Sequence, residues 1–259
     1  MLFIHACIFG EQKVRCHNHH SDFMENKLQL KTAEIEKINH LDYFNIAISV
    51  DCVIFGYDDK ELKVLLIKSD LEEFSGLYSL LGDLIRPDEE LEAASYRILN
   101  ERTGMDDVYL EQVYTFGSLG RHPSGRVITT AYYSLVDLLH QQMKLNDNDL
   151  HWHNVNDIKS LAFDHMQILN KCLDRLRNQV MEEPLVFNLL QEKFSLRELQ
   201  EVYEAILGVK LDRRNFRKKI TSKDWLVDLN EMETNLSHRP GKLYGLKDAY
   251  KRIPIKTAM

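Results

Sequence analysis

The chain has 259 residues, 44% of them hydrophobic and 28% charged, which is enough for one large or two ordinary globular domains, each with its own core. No apolar run approaches the roughly 20 residues that cross a bilayer, so we expect no membrane-spanning segment. Residues 184–259 carry 15 Lys and Arg against 10 Asp and Glu, a net of +5 that leaves −12 for residues 1–183; the C-terminal part is therefore expected to face a polyanion.

Residues 1–40 are predicted to be a leader without a fold of its own. "MLFIHACIFG" lacks the basic start and the cleavage site of a signal peptide, and Met24 opens a more ordinary polar start, so translation is expected to begin there or the leader to be disordered. The four cysteines show no pairing rhythm, which favours a reducing cytoplasm. "CHNHH" (Cys16–His20) has metal-ligand chemistry but no second half later in the chain, so no metal site is predicted.

The next 140 residues have a mixed pattern of strands and helices. Two β-branched runs around "GYDDKE" predict a hairpin over 47–69. "DEELEAASYRILNER" predicts a helix with an acidic start that suits the helix dipole. "YLEQVYTFGS" and "RVITTAYYSLV" predict strands, "HWHNVNDIKSLAFDH" predicts a loop, and "MQILNKCLDRLRNQV" predicts a helix that ends before Pro184.

The basic C-terminal part has the pattern of a helix-turn-helix with a wing. Ser195 and Glu198 form a capping box before the amphipathic "LRELQEVYEAIL", and Gly208 ends that helix. Asp212 is the expected N-cap of a second, basic helix, "RRNFRKKI". "DWLVDLN" and "KLYGLKDAY" flank "SHRPG" and predict two short strands with a basic loop between them, so the whole is predicted to be a winged helix.

The stretch from Asp83 to Met105 resembles the Nudix box, G-x5-E-x7-R-E-U-x-E-E-x-G-U, where U is a bulky aliphatic residue. Six box positions keep the family pattern: Glu89, Arg97, Leu99, Glu101, Gly104 and Met105. Three depart from the pattern, because Asp83 replaces the first glycine, Ile98 replaces the acid after the arginine, and Arg102 replaces the second of the paired acids. A chance match by an acidic amphipathic helix is the alternative to this resemblance.

The departures remove the chemistry that the resemblance would otherwise imply. Positions 98, 101 and 102 share one helix face. In active Nudix enzymes this face carries three carboxylates that hold Mg²⁺ against a pyrophosphate. Here one carboxylate remains, and Arg102 is expected to neutralise it. We therefore predict no catalytic residue, no cofactor and a vestigial box in which Glu89 and Arg97 still form a bracing ion pair.

The run "FSLRELQEVYEAILG", followed by "DRRNFRKKI", resembles the C-terminal domain of the Nudix-related transcriptional regulators, and "LAFDH" and "PLVFNLL" are also similar to stretches of that family. The resemblance implies an α+β chain: a Nudix-type α/β/α sandwich with a mixed sheet over 41–180, and a winged helix-turn-helix over 184–259. It implies a ligand-responsive repressor. Some members sense ADP-ribose, and the branch that this chain is most similar to senses a sugar such as L-arabinose.

The resemblance also places two sites. The effector pocket is expected against the loop before the box helix and against the strand and loop after it, where the candidates are Tyr78, Arg86, Phe116 and Arg121. Ordinary structural use is the alternative for each of them. Double-stranded operator DNA is expected to bind a homodimer, with Asp212–Ile220 in the major groove. Base edges would be contacted by Arg213, Arg214 and Asn215, phosphates by Arg217, Lys218 and Lys219, and the wing would be placed by Arg239 and Lys242.

Two other functions stay open at this point. The chain could be a Nudix hydrolase of nucleoside-diphosphate derivatives such as ADP-ribose, with the C-terminal part as an accessory domain. It could also be a scaffold in which the C-terminal part docks a protein and binds no DNA. Turnover with Mg²⁺ separates the first alternative from the repressor, and salt-dependent DNA binding separates the second.

Overall fold

A computed structural model describes residues 46–105, 108–138, 149–234 and 240–250. The predictions for the leader, for Met24 and for the Cys16–His20 cluster lie outside the described residues, as does Arg239. Everything described below belongs to one structural unit that starts at Ile46.

A mixed sheet organises the first half of this unit. Its strand order is β3-β2-β1-β6-β5, with β4 paired to β1 and β7 paired to β2. Strands β1 and β6 run parallel from the pair Ala47↔Val127 to the pair Tyr57↔Asp137, and the other pairings are antiparallel. The strands are β1 (Ala47–Asp58), β2 (Glu61–Lys68), β3 (Tyr78–Ser79), β4 (Leu81–Leu84), β5 (Glu111–Phe116), β6 (Val127–Asp137) and β7 (Leu150–Asn154).

The predicted hairpin is confirmed as β1 and β2. Its two turn residues, Asp59 and Lys60, have φ angles of 52° and 65°, as expected for the two central residues of a type I′ turn. The second half of β1 is buried on both faces because β2 and β6 flank it and helices cover the sheet on both sides.

The prediction of a loop over His151–His165 is wrong in its first part. His151 to Asn154 belong to strand β7, which pairs antiparallel with β2 from Lys63↔Asn154 to Ile67↔Leu150. Two histidines, a tryptophan and an asparagine do not show the β-branched alternation of a strand. The strand forms because the edge of β2 offers backbone groups for pairing. Since β2 is remote in sequence, the residues of β7 alone do not indicate this pairing.

One helix covers each face of the sheet. Helix α1 (Leu91–Thr103) buries Ala94, Ile98 and Leu99 against one face, with Glu90 at the N-cap position, so it begins three residues later than predicted. Helix α2 (His165–Val180) buries Ile168, Leu169, Cys172, Leu173 and Leu176 against the other face. The α/β/α sandwich with a mixed sheet is therefore confirmed.

The winged helix is also confirmed. The Ser195 capping box is formed as predicted, and the Asp212 side chain accepts a hydrogen bond from the amide of Asn215. The three strands of the small sheet have the order β8-β10-β9. Its elements are β8 (Phe194–Ser195), α3 (Leu196–Leu207), α4 (Arg213–Ser222), β9 (Leu226–Met232) and β10 (Lys242–Leu246).

One apolar cluster runs from the sheet into the winged helix. It includes Phe55 from β1, Leu176 from α2, Val202 from α3 and Phe216 from α4. A 3-10 turn over Leu185–Leu189 lies between α2 and β8, with four of its five residues buried. Two domains with separate cores were expected, but the described residues of both parts share this cluster. The domain boundary at 180–184 stays a prediction. The helices of the described residues are too short or too polar to cross a membrane.

Candidate functional site

The Nudix-like loop is held to α1 by the predicted ion pair. Arg97 binds Glu89 through two hydrogen bonds, Nη2 to Oε1 at 2.6 Å and Nε to Oε2 at 2.9 Å. A third hydrogen bond runs from Arg97 Nη2 to the carbonyl of Leu84 at 3.1 Å. The Arg97 guanidinium is the main reason that the pKa of Glu89 falls to about 2. This geometry makes the pair a brace between the loop and the helix.

The helix face that carries three acids in the Nudix pattern holds Ile98, Glu101 and Arg102 in this chain. The side chain of Ile98 is buried in the core under α1. The Glu101 carboxylate receives hydrogen bonds at 3.2 Å from Arg86 Nη2 and at 3.2 Å from Arg97 Nη1. Two guanidiniums thus neutralise Glu101, those of Arg86 and Arg97, whereas its neutralisation by Arg102 stays a prediction. In the part of the chain that the structure describes, no three His, Cys, Asp or Glu side chains are grouped as a metal site.

A buried charged cluster lies where β1, the β5–β6 loop and the start of α2 meet. Arg121 binds Asp164 bidentately, Nε to Oδ2 at 2.9 Å and Nη2 to Oδ1 at 2.8 Å, and its Nη2 lies 3.7 Å from Asp51 Oδ2. The Thr129 hydroxyl donates to Asp51 Oδ2 at 2.7 Å, and His165 Nε2 lies 3.6 Å from Asp51 Oδ1. The side chains of Arg121, Asp51 and Asp164 are 4%, 7% and 11% exposed.

The formal charges of Asp51, Asp164 and Arg121 in this cluster sum to −1. Burial lowers the pKa of His165, so its imidazole is neutral, and its Nδ1 accepts a hydrogen bond from the amide of Leu80 at 3.0 Å. One guanidinium then stands against two carboxylates. A Cβ at Gly82 would lie 2.2 Å from Asp51 Oδ1, so only glycine fits beside this carboxylate. Two residues before the box helix therefore contact the cluster: the amide of Leu80 binds His165, and Gly82 lies against Asp51.

Aromatic rings lie against the same cluster. Phe163 is stacked on His122 with ring centroids 4.9 Å apart, and it also contacts Phe74 at 4.5 Å and His165 at 4.9 Å. Its φ angle is 54°, a left-handed conformation that is uncommon for a bulky residue. Backbone strain of this kind concentrates at binding and switch sites. Phe163, His122 and Phe74 are only partly buried, so they offer ring surface beside the buried charges.

The four predicted effector residues are not brought together by direct contacts. Tyr78 packs on His153 with ring centroids 4.3 Å apart, and Phe116 packs on Tyr114 at 5.1 Å. The side chain of Arg86 is 58% exposed beside Glu101, whereas Arg121 is buried in the charged cluster. No hydrogen bond or ring contact among the described residues joins these four side chains to one another.

Sequence reasoning missed most of the residues around Arg121. Asp51 was one signal, because it interrupts an otherwise apolar strand, "AISVDCVIFG". The other signal was "LAFDH", which resembles a stretch of the regulator family and contributes Phe163, Asp164 and His165. The residues that this loop meets could not be found from spacing, because Arg121 and Asp51 are remote from it in sequence.

The exposed face of α4 differs from the rest of the winged helix in its charge pairing. Five of its cations make no salt bridge with another described residue: Arg213, Arg214, Arg217, Lys218 and Lys219. The other cations described in this part of the chain are paired with carboxylates: Lys193, Arg197, Lys210, Lys223, Lys242 and Lys247. Within the described residues of the winged helix, positive charge without a salt-bridge partner is therefore concentrated on α4.

A groove of about 1170 Å³ lies between α4 and the wing. Five of the predicted DNA contacts line it: Arg213, Arg214, Asn215, Arg217 and Lys242. Glu233 fixes the base of the wing, because it accepts from the amide of Gly241 at 2.7 Å and pairs with Arg197 at 3.2 Å. Lys218 and Lys219 do not line the groove, and Lys242 is held by Asp228 at 2.8 Å.

Comparison with known proteins identifies both halves. Residues 46–176 match the model of the NUDIX domain, and residues 186–246 match that of the NrtR DNA-binding winged helix domain. The chain is 32% identical over 208 residues to an ADPR responsive transcriptional repressor, NtrR, of Acinetobacter baylyi, covering 78% of this chain and 83% of the repressor. It is 30% identical over 129 residues to an ADP-ribose pyrophosphatase of Methanocaldococcus jannaschii, covering 49% of this chain and 73% of that enzyme.

The fold is also that of a solved regulator. NrtR of Shewanella oneidensis, crystallised with a 27mer DNA, superposes with a TM-score of 0.66 at 34% identity, covering 77% of this chain and 93% of that one. A MutT/nudix family protein of Enterococcus faecalis gives a TM-score of 0.64 at 26% identity, covering 83% and 93% of the two chains.

Proposed function

We propose that this chain, which belongs to the Nudix-related transcriptional regulators with an NrtR-type winged helix, is a ligand-responsive repressor that binds operator DNA through α4 and the wing. The observation that carries the proposal is the set of exposed cations on α4 beside the groove, which make no salt bridge with another described residue. Its relatives point the same way, since one is named as an ADPR responsive repressor and another was crystallised with DNA.

The charges of α4 suit a helix in the major groove. Arg213, Arg214 and Asn215 lie in its first turn, the part that meets base edges in a helix-turn-helix, where arginine binds guanine and asparagine binds adenine. Arg217 lines the groove further along and Lys218 is exposed beside it, which suits contacts with phosphates. Lys242 must first leave Asp228, so we expect it to contribute less than the cations of α4.

The protein is proposed to act as a homodimer. One winged helix contacts only a short half-site, and residues 1–183 carry a net charge of −12 that opposes DNA. Two heads on a palindrome supply the missing affinity, with half-sites about 10 bp apart or a multiple of that. If the two heads neutralise six phosphates, the logarithm of affinity should fall with the logarithm of salt concentration with a slope of about −5.

The experiment is a mobility-shift titration of the full chain with the DNA upstream of its own gene, repeated at several salt concentrations. A sequence-preferring complex with a steep salt slope supports the repressor. Binding that is absent at low salt, or equal for unrelated duplexes, would instead support the scaffold. Sedimentation of the complex gives the number of chains per duplex and tests the dimer separately.

The Nudix part is proposed to bind its ligand without hydrolysing it. Two of the three positions that carry metal-binding acids in active enzymes hold Ile98 and Arg102, and the remaining Glu101 is bound by two guanidiniums. The purified protein should hydrolyse ADP-ribose with Mg²⁺ no faster than buffer does. Release of AMP that disappears in Glu101→Gln would favour a pyrophosphatase like the Methanocaldococcus jannaschii relative.

The effector is proposed to present a pentose ring to the Asp51–Arg121–Asp164 cluster. Carboxylates accept hydrogen bonds from sugar hydroxyls, the guanidinium donates to them, and the rings of Phe163 and His122 offer a stacking surface. Because the cluster is net negative and buried, a diphosphate is disfavoured directly on it. Both a free pentose such as L-arabinose and the ribose end of ADP-ribose, with its phosphates elsewhere, have the hydroxyl groups that this proposal requires.

A thermal-shift screen distinguishes these sources, because a ligand that binds the native state raises the melting temperature. L-arabinose, other pentoses, ADP-ribose and NAD are compared on the wild type and on Asp51→Asn. If a free pentose raises the melting temperature of the wild type but not that of Asp51→Asn, the effector is a sugar that binds at this cluster. If only ADP-ribose raises the melting temperature, the effector is the nucleotide. If a ligand raises the melting temperature of Asp51→Asn as much as that of the wild type, its pocket lies away from this cluster.

A further inference from the structure

Helix α2 begins inside the buried charged cluster. Asp164 is its N-cap residue and binds Arg121 bidentately, and His165 is its first residue, held by the amide of Leu80 and lying beside Asp51. The position of this helix end is thus set by the groups that we propose to bind the effector.

The other end of α2 is attached to the winged helix. Arg177 Nε donates a hydrogen bond at 2.9 Å to the carbonyl of Ile206, in the last turn of α3. A Cβ at Gly208, whose φ is 70°, would lie 3.1 Å from Arg177 Nη2, so the glycine that ends α3 also admits the guanidinium. Helix α2 has 16 residues and is therefore about 24 Å long, which spans the distance from the cluster to α3.

Apolar contacts continue this attachment to the DNA-binding helix. Leu176 and Val180 of α2 are fully buried in the same cluster as Val202 of α3. Tyr203 of α3 packs on Phe216 of α4 with ring centroids 5.2 Å apart. Close-packed interfaces shift between discrete arrangements more readily than they deform, so a displaced α2 carries α3 and α4 with it.

The residues just before α2 are in conformations that a bound ligand could release. Phe163 has a φ of 54°, and Asp164 has φ −93° and ψ 17°, in the sparsely populated region between helix and strand. Both residues contact the charged cluster or its aromatic wall. Strained residues at the end of a helix are a common place for a switch.

We propose that effector binding at the Phe163–His165 loop moves α2 as a rigid body, that Arg177 transmits this movement to α3, and that α3 carries α4 with it through their shared core. The proposal rests on the proposed function, whose effector site it uses. One direct ion pair bypasses α2, because Lys60 in the β1–β2 turn binds Glu201 of α3 at 3.2 Å. Lys60→Met therefore removes a contact between the same two parts of the molecule without touching α2.

The test uses a substitution in place of the effector, so it does not depend on knowing the ligand. Asp164→Asn disturbs the loop, and it is placed in the wild type, in Arg177→Met and in Lys60→Met. Two quantities are measured on each full-length protein: amide hydrogen exchange over residues 196–207, and affinity for the upstream DNA at fixed salt. Phe163→Gly, which relieves the positive φ, replaces Asp164→Asn if that variant does not fold.

We expect the loop substitution to change exchange over 196–207 and to change DNA affinity by about fivefold or more in the wild type and in Lys60→Met. In Arg177→Met both responses should shrink to less than about twofold. Three outcomes overturn the proposal. The response to the loop substitution survives in Arg177→Met, or it is lost equally in Lys60→Met, or the folded wild-type background shows no response at all. If exchange responds as expected but no variant binds DNA, the helix coupling stands and the proposed repressor function fails.

Discussion

The buried Asp51–Arg121–Asp164 cluster and the exposed face of α4 are both rich in charge, but they use it in opposite ways. In the cluster, each charged group has a partner of opposite sign within 4 Å. On α4, five cations make no salt bridge with another described residue. A buried charge needs a partner because desolvation is costly, whereas an exposed cation tolerates water and stays available for a phosphate. Pairing, and not charge density, thus distinguishes the two regions.

The largest effect is expected when the buried pairing is broken. Arg121→Met leaves Asp51 and Asp164 buried without their guanidinium, and removing one partner of a buried pair costs roughly 3–5 kcal/mol. Urea unfolding should show this loss in the free energy of unfolding. Asp164→Asn on the same background should recover part of the stability, since it removes one uncompensated charge. A stability change below about 1 kcal/mol would show that the cluster is hydrated and not a buried pair.

A smaller effect is expected from a substitution on α4, and it should change the affinity for DNA and not the free energy of unfolding. Arg214→Ala should cost roughly 1–3 kcal/mol on the cognate operator and relax its sequence preference. Because Arg214 is exposed and makes no salt bridge with another described residue, the free energy of unfolding should change by less than about 0.5 kcal/mol. Mobility-shift titrations on operator and scrambled duplexes check the first point. Unchanged operator affinity would mean that α4 does not contact the bases.

Lys218→Ala is the matched substitution for a phosphate contact. It should weaken cognate and scrambled duplexes alike and reduce the magnitude of the salt slope by about one unit per DNA-bound side chain. Lys242→Ala is the control, since Asp228 already holds Lys242 and its removal should change the slope less. Equal effects of the two substitutions would indicate that the Asp228 pair dissociates freely when DNA binds.

The smallest effect concerns the brace on α1 and depends on pH. The pKa of Glu89 is lowered from 4.5 to about 2, chiefly by Arg97, so the ionised carboxylate favours the folded state. This contribution is complete above about pH 4.5 and is lost as the pH falls towards 2. The melting temperatures of the wild type and Glu89→Gln should therefore differ above pH 4.5 and converge on acidification. A difference that stays constant from pH 6 to pH 2 would mean that the charge of Glu89 is irrelevant to the brace.

Local sequence signals predicted most elements of this fold, and the exceptions have physical causes. The capping box at Ser195, the N-cap at Asp212 and the β1–β2 turn depend on residues within a few positions of one another, so a pattern finds them. The pattern does not predict strand β7, because its partners in β2 lie 83 to 91 positions earlier and its own residues have no strand pattern. Arg121 was named as a candidate, but its partners Asp51 and Asp164 were not.

The sequence by itself determined that two of the three acids on the metal face of the Nudix box are replaced, that a basic helix follows a capped one, and that the two halves carry opposite charge. These properties belong to residue types at fixed spacing. Only the tertiary structure decided which charges cancel. Ion pairing requires approach within about 4 Å, and the fold alone brings Asp51, Arg121 and Asp164 together while it leaves the cations of α4 exposed. The tertiary structure also connects the buried Asp51–Arg121–Asp164 cluster to α3, because α2 begins in the cluster and reaches α3 at Arg177, and no sequence pattern shows this connection.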